Sequence, residues 1–544
     1  MRAPRSRPLR ILVRSPFAAH CRRRRARGFP TLADVLDGRT LWELMERRVD
    51  ATPDALMAVD EDMRTLTFAE FWSESERAAA GFADLGIGTS DVVSWQLPTW
   101  IESLVLVAAL SRLGVLQNPI LPILGEREVG FICDQAVSDL LVVPSQWRNV
   151  DTEAMATRLA GDQDGRLRVL VADRALPQGD PNRVPAAPDP DLEHAPVRWL
   201  FATSGTTSEP KVVQHTDSTI AAAARGMGRR LALIEADRAA LVFPFTHIGG
   251  ITWLFATMMF GNALILAESF DPAETPDVLG REGVTLAGSG TVFHQAYVAH
   301  QRRSLHPTFP NVRAFPGGGA PKPPSLVAEV RELFDVPVLA GYGLTEAPIL
   351  TMADVSDPDE WLAVSEGRPV PGVELRFVAL DGTALFPGEE GEVRVRAPQL
   401  MRGYLDPSLD AAAFDDDGFF RTGDIGRLDE HGNLIITGRI KDVIIRKGEN
   451  VSAQEVEDLL VTHPSIADVA VIGLPDPDTG ERVCAVVQQV PGTDELALDD
   501  VTAHLLSQGL GTRKLPEQLE LLEAIPRNAT GKVLKHVLRD ELKG

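Results

Sequence analysis

One stretch of the chain has the composition of a phosphate-binding loop: Leu200-Phe-Ala-Thr-Ser-Gly-Thr-Thr-Ser-Glu-Pro-Lys-Val-Val-Gln-His-Thr216. It begins inside a mostly apolar run, residues 197–202, that is typical of a buried strand. Hydroxyl side chains, one glycine and the first of the eight lysines in the chain follow this run: Thr203, Ser204, Gly205, Thr206, Thr207 and Lys211. Hydroxyl donors, a closely approaching backbone and a cation are what a polyphosphate requires of a loop. A solvated Ser/Thr turn has the same composition and is the alternative.

The length and composition of the chain indicate a globular protein with more than one domain. At 544 residues, it is longer than one compact core allows. A content of 44% hydrophobic and 24% charged residues is ordinary for a soluble protein. The three cysteines, Cys21, Cys133 and Cys484, stand far apart, which argues against a disulfide framework and a zinc site. We therefore expect a reducing compartment, by default the cytoplasm.

The charge distribution is uneven along the chain. The net charge of −23 disfavours nucleic acid as a partner, although residues 1–28 contain ten arginines and no acidic residue. This basic segment is open to three interpretations: a transit peptide, a basic arm for an anionic surface or a disordered extension without function. We favour a disordered extension over residues 1–29, because the segment lacks an amphipathic period.

One uncharged span, residues 239–267, is long enough to cross a bilayer. Proline and glycine residues interrupt it, however. They divide it into a strand at 240–243, a helix at about 248–260 and a strand at 263–267. We therefore predict a buried β-α-β unit and no transmembrane segment.

Apolar strands that lead into glycine-rich turns recur along the chain. Strands at 240–243, 312–315 and 336–340 have this form, and helices alternate with them, which predicts an α/β fold. Because ligands gather at the carboxyl ends of strands in such sheets, we expect the turns to share one crevice. From Gly367, short strands separated by Gly and Pro predict an antiparallel β subdomain. A domain boundary is expected near residues 439–442.

Two further motifs have the composition of a nucleotide site. Gly341-Tyr-Gly-Leu-Thr-Glu346 combines glycines for close approach, a tyrosine face for stacking, a threonine hydroxyl and a carboxylate suited to Mg²⁺. Asp424 ends a strand and suits a vicinal diol such as that of ribose, and Arg439 lies across the predicted hairpin from it. A tight strand–helix turn and a surface Asp–Arg pair are the structural alternatives.

In this order, the motifs resemble those of the adenylate-forming superfamily, which includes acyl-CoA synthetases, luciferase-like enzymes and peptide-synthetase adenylation domains. The resemblance covers about residues 30–540. It implies an N-terminal adenylation domain at 30–439, built from stacked α/β sheets and the β subdomain, and a small mobile α+β lid domain at 440–544. It assigns Mg²⁺ binding to Glu346. It assigns ATP and AMP binding to the phosphate loop, which comprises Thr203, Ser204, Gly205, Thr206, Thr207 and Lys211, and to Gly318, Gly319, Ala320, Pro321, Gly341, Tyr342, Gly343, Thr345, Asp424, Arg439 and Lys532.

The C-terminal part resembles the thiolation and adenylation signatures of the same superfamily. The resemblance places the hinge at Lys441 and the CoA-binding surface at Lys447, Gly448 and Glu449. It identifies Lys532, at the end of Pro526-Arg-Asn-Ala-Thr-Gly-Lys532, as the adenylation lysine. The charge of this lysine would relieve the repulsion between a substrate carboxylate and the α-phosphate. The catalytic residues implied are Lys532, Thr345, Glu346 and His247.

The acyl pocket is implied by resemblance around the predicted helix at 248–260. Its lining residues would be His247, Gly249, Gly250 and Trp253, and a structural cap is the alternative role for the histidine. No acidic residue occurs between Asp237 and Glu268, so the ammonium group of an amino acid would lack a partner here. We therefore expect a fatty, alicyclic or aryl acid.

Three positions depart from the patterns of the superfamily. Ser208 and Val212 stand where its phosphate loop usually has glycine, and Ile445 stands where hydroxycinnamoyl ligases and beetle luciferases have lysine. The expected activity is ATP-dependent carboxylate–CoA ligation through acyl-AMP, with ATP, Mg²⁺ and CoA. Loading of a carrier protein is the alternative. The presence of Lys532 and Glu346 argues against a non-catalytic adenylate-binding protein. The oligomeric state is left open, with a homodimer as one option.

Overall fold

The computed structural model describes residues 40–162, 165–188, 195–203, 210–319, 322–446, 449–477, 479–527 and 533–543. Within these ranges the α-helices are α1 (Leu41–Ala51), α2 (Phe68–Asp84), α3 (Ile101–Leu113), α4 (Glu126–Ala136), α5 (Thr152–Asp162), α6 (Asp217–Arg230), α7 (Ile248–Phe260), α8 (Thr275–Arg281), α9 (Thr291–Arg303), α10 (Pro324–Phe334), α11 (Asp359–Val364), α12 (Asp410–Ala413), α13 (Ala453–Leu460), α14 (Leu498–Ser507) and α15 (Lys535–Leu542).

The strands of the same ranges form sheets of up to six strands. In chain order they are β1 (Leu56–Asp60), β2 (Thr65–Thr67), β3 (Val92–Trp95), β4 (Leu116–Pro119), β5 (Leu140–Val143), β6 (Gln146–Trp147), β7 (Val150–Asp151), β8 (Arg168–Val171), β9 (Val197–Thr203), β10 (Lys211–Thr216), β11 (Arg238–Leu241), β12 (Ala263–Leu266), β13 (Phe315–Gly318), β14 (Val338–Tyr342), β15 (Thr351–Met352), β16 (Arg368–Pro369), β17 (Glu374–Val378), β18 (Ala384–Leu385), β19 (Gly391–Arg396), β20 (Phe420–Leu428), β21 (Leu434–Arg439), β22 (Val443–Arg446), β23 (Glu449–Ser452), β24 (Ile466–Asp476), β25 (Gly480–Gln489) and β26 (Gln518–Leu521).

A six-stranded sheet contains the two strands that flank the phosphate loop, β9 and β10. Its order is β10-β9-β4-β3-β5-β8, and its strands are parallel except for β10, which returns antiparallel to β9. The inner strand β5, Leu140–Val143, is wholly apolar and buried, as expected where both faces of a parallel sheet are covered. Helix α3 connects β3 to β4 and ends at Gly114, whose φ of 70° requires the left-handed region that glycine adopts freely. Lys211 begins β10, opposite Thr203 at the end of β9.

Two four-stranded sheets are joined into one larger sheet by the single residue Leu286. β11 and β12 are parallel neighbours, β1 pairs with β12, and β13 pairs with β14. Leu286 lies between the two groups and forms parallel bridges with Ala239 on one side and with Ala314 on the other. The strands thus follow the order β2-β1-β12-β11-Leu286-β13-β14-β15-β16. The carboxyl ends of β11, β13 and β14 lie at one edge of this sheet.

An antiparallel sheet follows in the chain, as the sequence predicts from Gly367 onward. Its order is β18-β17-β19-β20-β21. The segment that connects β19 to β20 returns to the six-stranded sheet, where residues 401–405 pair with β10. The nitrogen of Leu405 donates to the carbonyl of Val212 at 2.8 Å, and the nitrogen of Gln214 donates to the carbonyl of Gly403 at 3.0 Å. Residues 401–405 therefore connect the β subdomain to the strand that begins with Lys211.

The C-terminal part has a sheet and a core of its own. Strands β22 to β25 form the order β23-β22-β25-β24, and β26 pairs with β25. Helices α13, α14 and α15 contribute Val456, Val501 and Leu538 to its two apolar clusters. This part contacts the β subdomain through the hydroxyl of Ser452, which donates to the carbonyl of Thr437 at 2.8 Å. We propose the domain boundary between Arg439 and Ile440, where the chain leaves one sheet for the other.

The structure confirms the predicted α/β class, with a large N-terminal and a smaller C-terminal domain. The uncharged span at 239–267 forms β11, α7 and β12 in the predicted order, although β11 begins and ends two residues earlier than the strand predicted at 240–243. None of the helices in the described ranges is long and apolar enough to span a membrane. Both cysteines in these ranges, Cys133 and Cys484, are buried and free. The basic segment 1–29 lies outside the described residues.

Two strand predictions need correction. The strand predicted at 312–315 begins only at Phe315 and continues through Gly318, because residues 309–312 form a turn in which the nitrogen of Val312 donates to the carbonyl of Phe309 at 3.3 Å. The strand predicted at 336–340 is shifted toward its carboxyl end and includes Gly341 and Tyr342. In both cases glycines assigned to a turn belong to the strand, since close packing against the adjacent strand requires a residue without Cβ.

Candidate nucleotide and acyl site

Glycines line the edge where the parallel strands end. A Cβ at Gly318 would overlap the carbonyl oxygen of Gly341, and a Cβ at Gly317 would lie 2.8 Å from the nitrogen of Gly290. Gly319 has a φ of 83°, which side chains rarely adopt. The ends of β13 and β14 and the loop after Leu286 therefore pack backbone against backbone. They form a wall without side chains that a flat ligand can approach closely.

Tyr342, Asp424 and Arg439 form a cluster between two sheets. The hydroxyl of Tyr342, at the end of β14, donates to Oδ2 of Asp424 at 2.6 Å. Arg439 lies opposite Asp424 in the β20–β21 register, and its Nε is 2.8 Å from Oδ1. Burial, together with the charge of Asp424, holds the pKa of Tyr342 well above its ordinary value. The phenol therefore stays protonated and continues to donate to Asp424, which is only 2% exposed.

Thr345 and Glu346 follow β14 and are held by groups from β10 and from residues 401–405. Nε2 of His215 lies 2.8 Å from the carbonyl oxygen of Thr345, and its Nδ1 lies 2.9 Å from the hydroxyl of Thr219. Burial lowers the pKa of His215 to about 4, so the ring is neutral at physiological pH. Nε2 then donates to the carbonyl, and Nδ1 accepts from the hydroxyl of Thr219.

The carboxylate of Glu346 faces Tyr404. The phenol hydroxyl of Tyr404 donates to Oε1 of Glu346 at 2.9 Å, and the nitrogen of Met401 donates to the carbonyl of the same glutamate at 2.8 Å. The ammonium of Lys211 lies 5.3 Å from the centroid of the Tyr404 ring. The side chains predicted for the phosphate and metal functions thus meet around one tyrosine.

The donor set at Glu346 fits Mg²⁺ of the kind that binds together with a nucleotide. Such an ion prefers oxygen ligands and keeps one or two protein carboxylates beside substrate phosphates and water. Glu346 supplies one carboxylate, and the described part of the chain holds no cluster of three or more acidic, His or Cys side chains that would form a closed metal site.

His247 is the N-cap of α7, at the edge where β11 ends. Its Nδ1 accepts from the nitrogen of Gly249 at 3.1 Å, which leaves the proton on Nε2. Burial lowers the pKa of this ring to about 4. The ring meets Phe243 edge to face, with centroids 6.1 Å apart. The cap considered as the structural alternative is therefore present, and Nε2 is left as a neutral donor.

The other residues predicted for the acyl pocket have distinct surroundings. A Cβ at Gly249 would lie 3.1 Å from Nδ1 of His247 and 3.3 Å from the Phe243 ring, so this glycine leaves space beside both rings. A Cβ at Gly250 would collide with the backbone of Phe245. The second glycine therefore serves the turn that begins α7. Trp253 is 6% exposed and belongs to the main core cluster.

Lys441 lies in the 3₁₀ turn at 440–442, between the β subdomain and the C-terminal sheet. Partial burial and the neighbouring Arg439 lower its pKa. Its neighbour Asp442 is ion-paired with Arg539 of α15 at 3.0 Å. Glu449 begins β23 and pairs through its backbone with Arg446. Thr203 ends β9 and lies opposite Lys211 in the β9–β10 register, and a Cβ at Gly343 would lie 2.4 Å from the nitrogen of Ile349. The other predicted residues lie outside the described ranges: Ser204, Gly205, Thr206, Thr207, Ala320, Pro321, Lys447, Gly448 and Lys532.

Three features of this site are not predicted from the sequence. Two are His215, which belongs to the stretch 200–216, and Tyr404, which is one of only three tyrosines in the chain. The loop Gly288-Ser-Gly290 was also missed. The signal for this loop was the apolar run Val284–Ala287 followed by glycines, which is the same strand-then-turn pattern that marked the other loops.

Comparisons with known proteins identify the family of the chain. Residues 45–405 match the family described as AMP-binding enzyme, and residues 455–532 match the AMP-binding enzyme C-terminal domain. The chain is 31% identical to a salicyl-AMP ligase / salicyl-S-ArCP synthetase of Mycobacterium tuberculosis, over 94% of this chain and 92% of that protein. It is 28% identical to a medium-chain fatty-acid–CoA ligase of Escherichia coli, over 92% and 90% of the two chains.

A solved structure extends the likeness to the fold of the whole chain. It is that of o-succinylbenzoate CoA synthetase from Bacillus subtilis in complex with an acyl-adenylate intermediate. Its TM-score with this chain is 0.79 at 26% identity, over 93% of this chain and 98% of the other. The chain belongs to the AMP-binding enzyme family of adenylate-forming proteins and is an AMP-forming acid–thiol ligase.

Proposed function

We propose that the protein is a carboxylate–CoA ligase that forms acyl-AMP from ATP and a carboxylic acid and then transfers the acyl group to CoA. The observation that carries the proposal is the Tyr342–Asp424–Arg439 cluster beside the glycine wall. It offers an aromatic ring, a buried carboxylate for a ribose diol and a guanidinium for the adjacent phosphate. Glu346 and Lys211 lie around Tyr404, where a triphosphate would need a metal and a cation.

In the first step, a carboxylate oxygen of the acid attacks the α-phosphorus, the bond to the β-phosphate oxygen breaks, and pyrophosphate leaves. Lys211 and the hydroxyls of residues 203–207 bind the departing phosphates in this proposal. Mg²⁺ bound through Glu346 would offset the charge of the triphosphate. The ammonium of Lys532 lies between two oxyanions as they approach, and it stabilises the transition state more than the separated ground state.

In the second step, the C-terminal domain turns about Lys441 and presents residues 447–449 to the site. The thiol sulfur of CoA attacks the acyl carbon, the bond to the AMP oxygen breaks, AMP leaves and the thiol proton is released. The change of sheet at this point supports such a rotation, because β21 ends at Arg439 and β22 begins at Val443 in another sheet. The Ser452–Thr437 hydrogen bond crosses the proposed boundary, whereas the Asp442–Arg539 ion pair lies within the C-terminal domain.

The acid is proposed to have an apolar body and no ammonium group. The walls near His247 are apolar, with the Phe243 ring and helix α7, in which every residue except Gly249 is buried. The stretch between Asp237 and Glu268 contains no carboxylate that could pair with an amine. A fatty, alicyclic or aryl acid satisfies these conditions.

Loading of a carrier protein is the second candidate. It is favoured by the similarity to the salicyl-S-ArCP synthetase, which spans 94% of this chain. Both acceptors present a thiol on the same kind of flexible arm, so the chemistry of the site does not separate them. The proposal for CoA rests on the similarity to two CoA ligases.

The test is pyrophosphate release over a panel of fatty, alicyclic, aryl and amino acids, each with CoA, with a carrier protein bearing the thiol arm, or with neither. We expect turnover with an apolar acid and CoA, and none with an amino acid. Efficient thioester formation only on the carrier protein would show that the carrier protein, and not CoA, is the acceptor. Turnover of amino acids alone would contradict the proposed acid.

Lys532→Ala tests the two-step assignment. We expect it to abolish acyl-AMP formation while largely sparing thioester formation from supplied acyl-AMP, because the lysine acts only in the first step. Lys543→Ala, which removes a half-exposed lysine paired with Asp540, is the matched control and should affect neither step. Equal loss of both half-reactions in Lys532→Ala would contradict the two-orientation mechanism.

A further inference from the structure

We propose that Tyr404 is a positioning residue that holds the carboxylate of Glu346 and the ammonium of Lys211 in a fixed relation to each other. The inference rests on the proposed function, in which these two groups meet the triphosphate. It adds a residue from the 401–405 segment, which the sequence analysis did not connect with the site.

The hydroxyl of Tyr404 acts on one side of this arrangement. It donates to Oε1 of Glu346 at 2.9 Å and thereby restricts the rotation of the carboxylate. A hydrogen bond to an ionised acceptor is stronger than one between neutral groups. It leaves Oε2 and the second lone pair of Oε1 available to a cation. A phenol is protonated at neutral pH, so the hydroxyl remains a donor.

The ring face acts on the other side. The ammonium of Lys211 lies 5.3 Å from the ring centroid, within the range in which a cation is attracted to an aromatic face. Lysine has a long flexible stem and no bidentate geometry of its own. Contact with the ring therefore restricts where its charge lies at the end of the phosphate loop.

The backbone fixes the ring itself. The nitrogen of Tyr404 donates to Oδ1 of Asp410 at 2.9 Å, and its carbonyl accepts from Nε2 of Gln214 at 2.8 Å. Val213 forms an antiparallel bridge with Tyr404. Because Gln214 and Val213 belong to β10, the tyrosine is tied to the strand that Lys211 begins. The residue is 5% exposed.

One ring thus connects two loops that are far apart in sequence. The backbone of Met401 donates to the carbonyl of Glu346, so the same five-residue segment also holds the glutamate from its main chain. A packing role alone would require the ring and not the hydroxyl. The hydroxyl is aimed at a carboxylate that the proposed reaction needs in one orientation. This distinction can be tested.

The test compares Tyr404→Phe with Tyr404→Leu in the full-length protein. The measurements are ATP affinity without metal, Mn²⁺ affinity of the enzyme–ATP complex by electron paramagnetic resonance, and the KM for ATP and kcat of pyrophosphate release. We expect Tyr404→Phe to leave metal-free ATP affinity within about twofold, since the ring under Lys211 remains, and to weaken Mn²⁺ binding roughly tenfold. Tyr404→Leu should weaken both.

Thr152→Val is the matched control, because it also removes a buried hydroxyl, which donates to the carbonyl of Pro144 far from Glu346. It should lower thermal stability without changing Mn²⁺ affinity. Wild-type Mn²⁺ affinity in a folded Tyr404→Phe variant would overturn the inference and leave the proposed function intact. If the wild-type protein bound no ATP, both would be overturned. If the wild-type protein bound ATP and metal but activated no acid, the proposed function would be overturned and the inference about Tyr404 would stand.

A second measurement avoids dependence on one variant. The chain has three tyrosines, so labelling with 3-fluorotyrosine gives three ¹⁹F resonances, which Tyr297→Phe and Tyr342→Phe assign. We expect the Tyr404 resonance to shift when ATP is added and to shift again when Mg²⁺ follows. A Tyr404 resonance that responds to neither addition, in protein that binds ATP, would overturn the inference.

Discussion

Asp424 is a single buried carboxylate that serves two partners on different strands. One oxygen accepts from Tyr342 and the other pairs with Arg439. An exposed Asp–Arg pair contributes little to stability because water competes for both groups. At 2% exposure Asp424 has lost most of that water, so its two partners and a ligand hydroxyl are what remain to satisfy it.

We expect Asp424→Asn to raise the Kd for ATP at least roughly tenfold, since a hydrogen bond to a charged group contributes about 1.5–3 kcal/mol. Asp417→Asn is the control, because Asp417 also pairs with an arginine, Arg376 at 2.7 Å, but is 66% exposed at its side chain. It should change the Kd less than about twofold. Titration calorimetry with ATP measures both, and equal losses in the two variants would show that Asp424 acts only through general stability.

At the residue scale, the sequence identified groups with a recognisable chemistry and missed those that act through them. Tyr342, Glu346, Asp424 and Arg439 were predicted, and the structure brings the first, third and fourth into contact. Tyr404 was missed because its role depends on which segment pairs with β10, and that pairing joins residues 190 positions apart, as in the bond between Gln214 and Tyr404. His215 was missed because its ring bonds Thr345, 130 positions away. No local pattern encodes either contact.

Helix α7 shows how an element with an almost wholly apolar surface is held in the interior. Its last carbonyl groups lack partners within the helix, and Gly261 turns the chain with a φ of 82°. Arg48 of α1 supplies the donors: its Nε bonds the carbonyl of Met258 at 3.0 Å, and its Nη2 bonds that of Met259 at 2.7 Å. The guanidinium side chain is 1% exposed and also pairs with Glu235.

We expect Arg48→Leu to lower the free energy of unfolding by about 2–4 kcal/mol, because two buried carbonyl groups lose their donors. Arg158→Leu is the control, because it removes an exposed ion pair with Glu126 at 2.7 Å, and it should cost about 1 kcal/mol or less. Urea denaturation followed by tryptophan fluorescence compares them. Similar midpoints for the two variants would contradict the capping role of Arg48.

At the element scale, the sequence predicted helices well and strand ends poorly. The helix predicted at about 248–260 has these bounds in the structure, since Gly261 marks its end. The strand at Leu286 was missed because it consists of single bridges on each side. Its pairing is set by the neighbouring strands rather than by a long apolar run.

At the scale of the molecule, three neutral histidines make the fold sensitive to acid. Burial lowers the pKa of His215, His247 and His294 to about 4, against an ordinary value of 6.5. Between these values the unfolded chain binds protons that the folded protein excludes. The free energy of unfolding is therefore unaffected by these rings above pH 6.5, and it decreases as the pH falls from 6.5 toward 4.

We expect each histidine to contribute a slope of about 1.4 kcal/mol per pH unit in this window. His215→Gln should remove about one proton from the pH dependence of unfolding, while the glutamine amide still reaches Thr345 and Thr219. His306→Gln, at an exposed histidine, is the control and should leave the slope unchanged. Urea unfolding at pH 7.5, 6 and 5 gives the slopes, and an unaltered slope in His215→Gln would contradict the assignment.

The α/β class and the division into a larger and a smaller domain were predictable, since both follow from the alternation of strand and helix patterns and from the order of the motifs. The connection of separate sheets was not. It depends on Leu286 in one place and on residues 401–405 in another. Both are short pairings whose partners lie far away along the chain.

The bridge at Leu286 fixes the distance between two parts of the site. Strands in a sheet are about 4.8 Å apart. The loop after β11, with His247, and the end of β14, with Tyr342, are therefore separated by three strand spacings, or roughly 14 Å. Leu286 and β13 occupy the two positions between them. In the proposed reaction this spacing sets how far the reacting carboxylate lies from the adenosine. Acids of different length must then differ only in how far they extend away from the sheet edge.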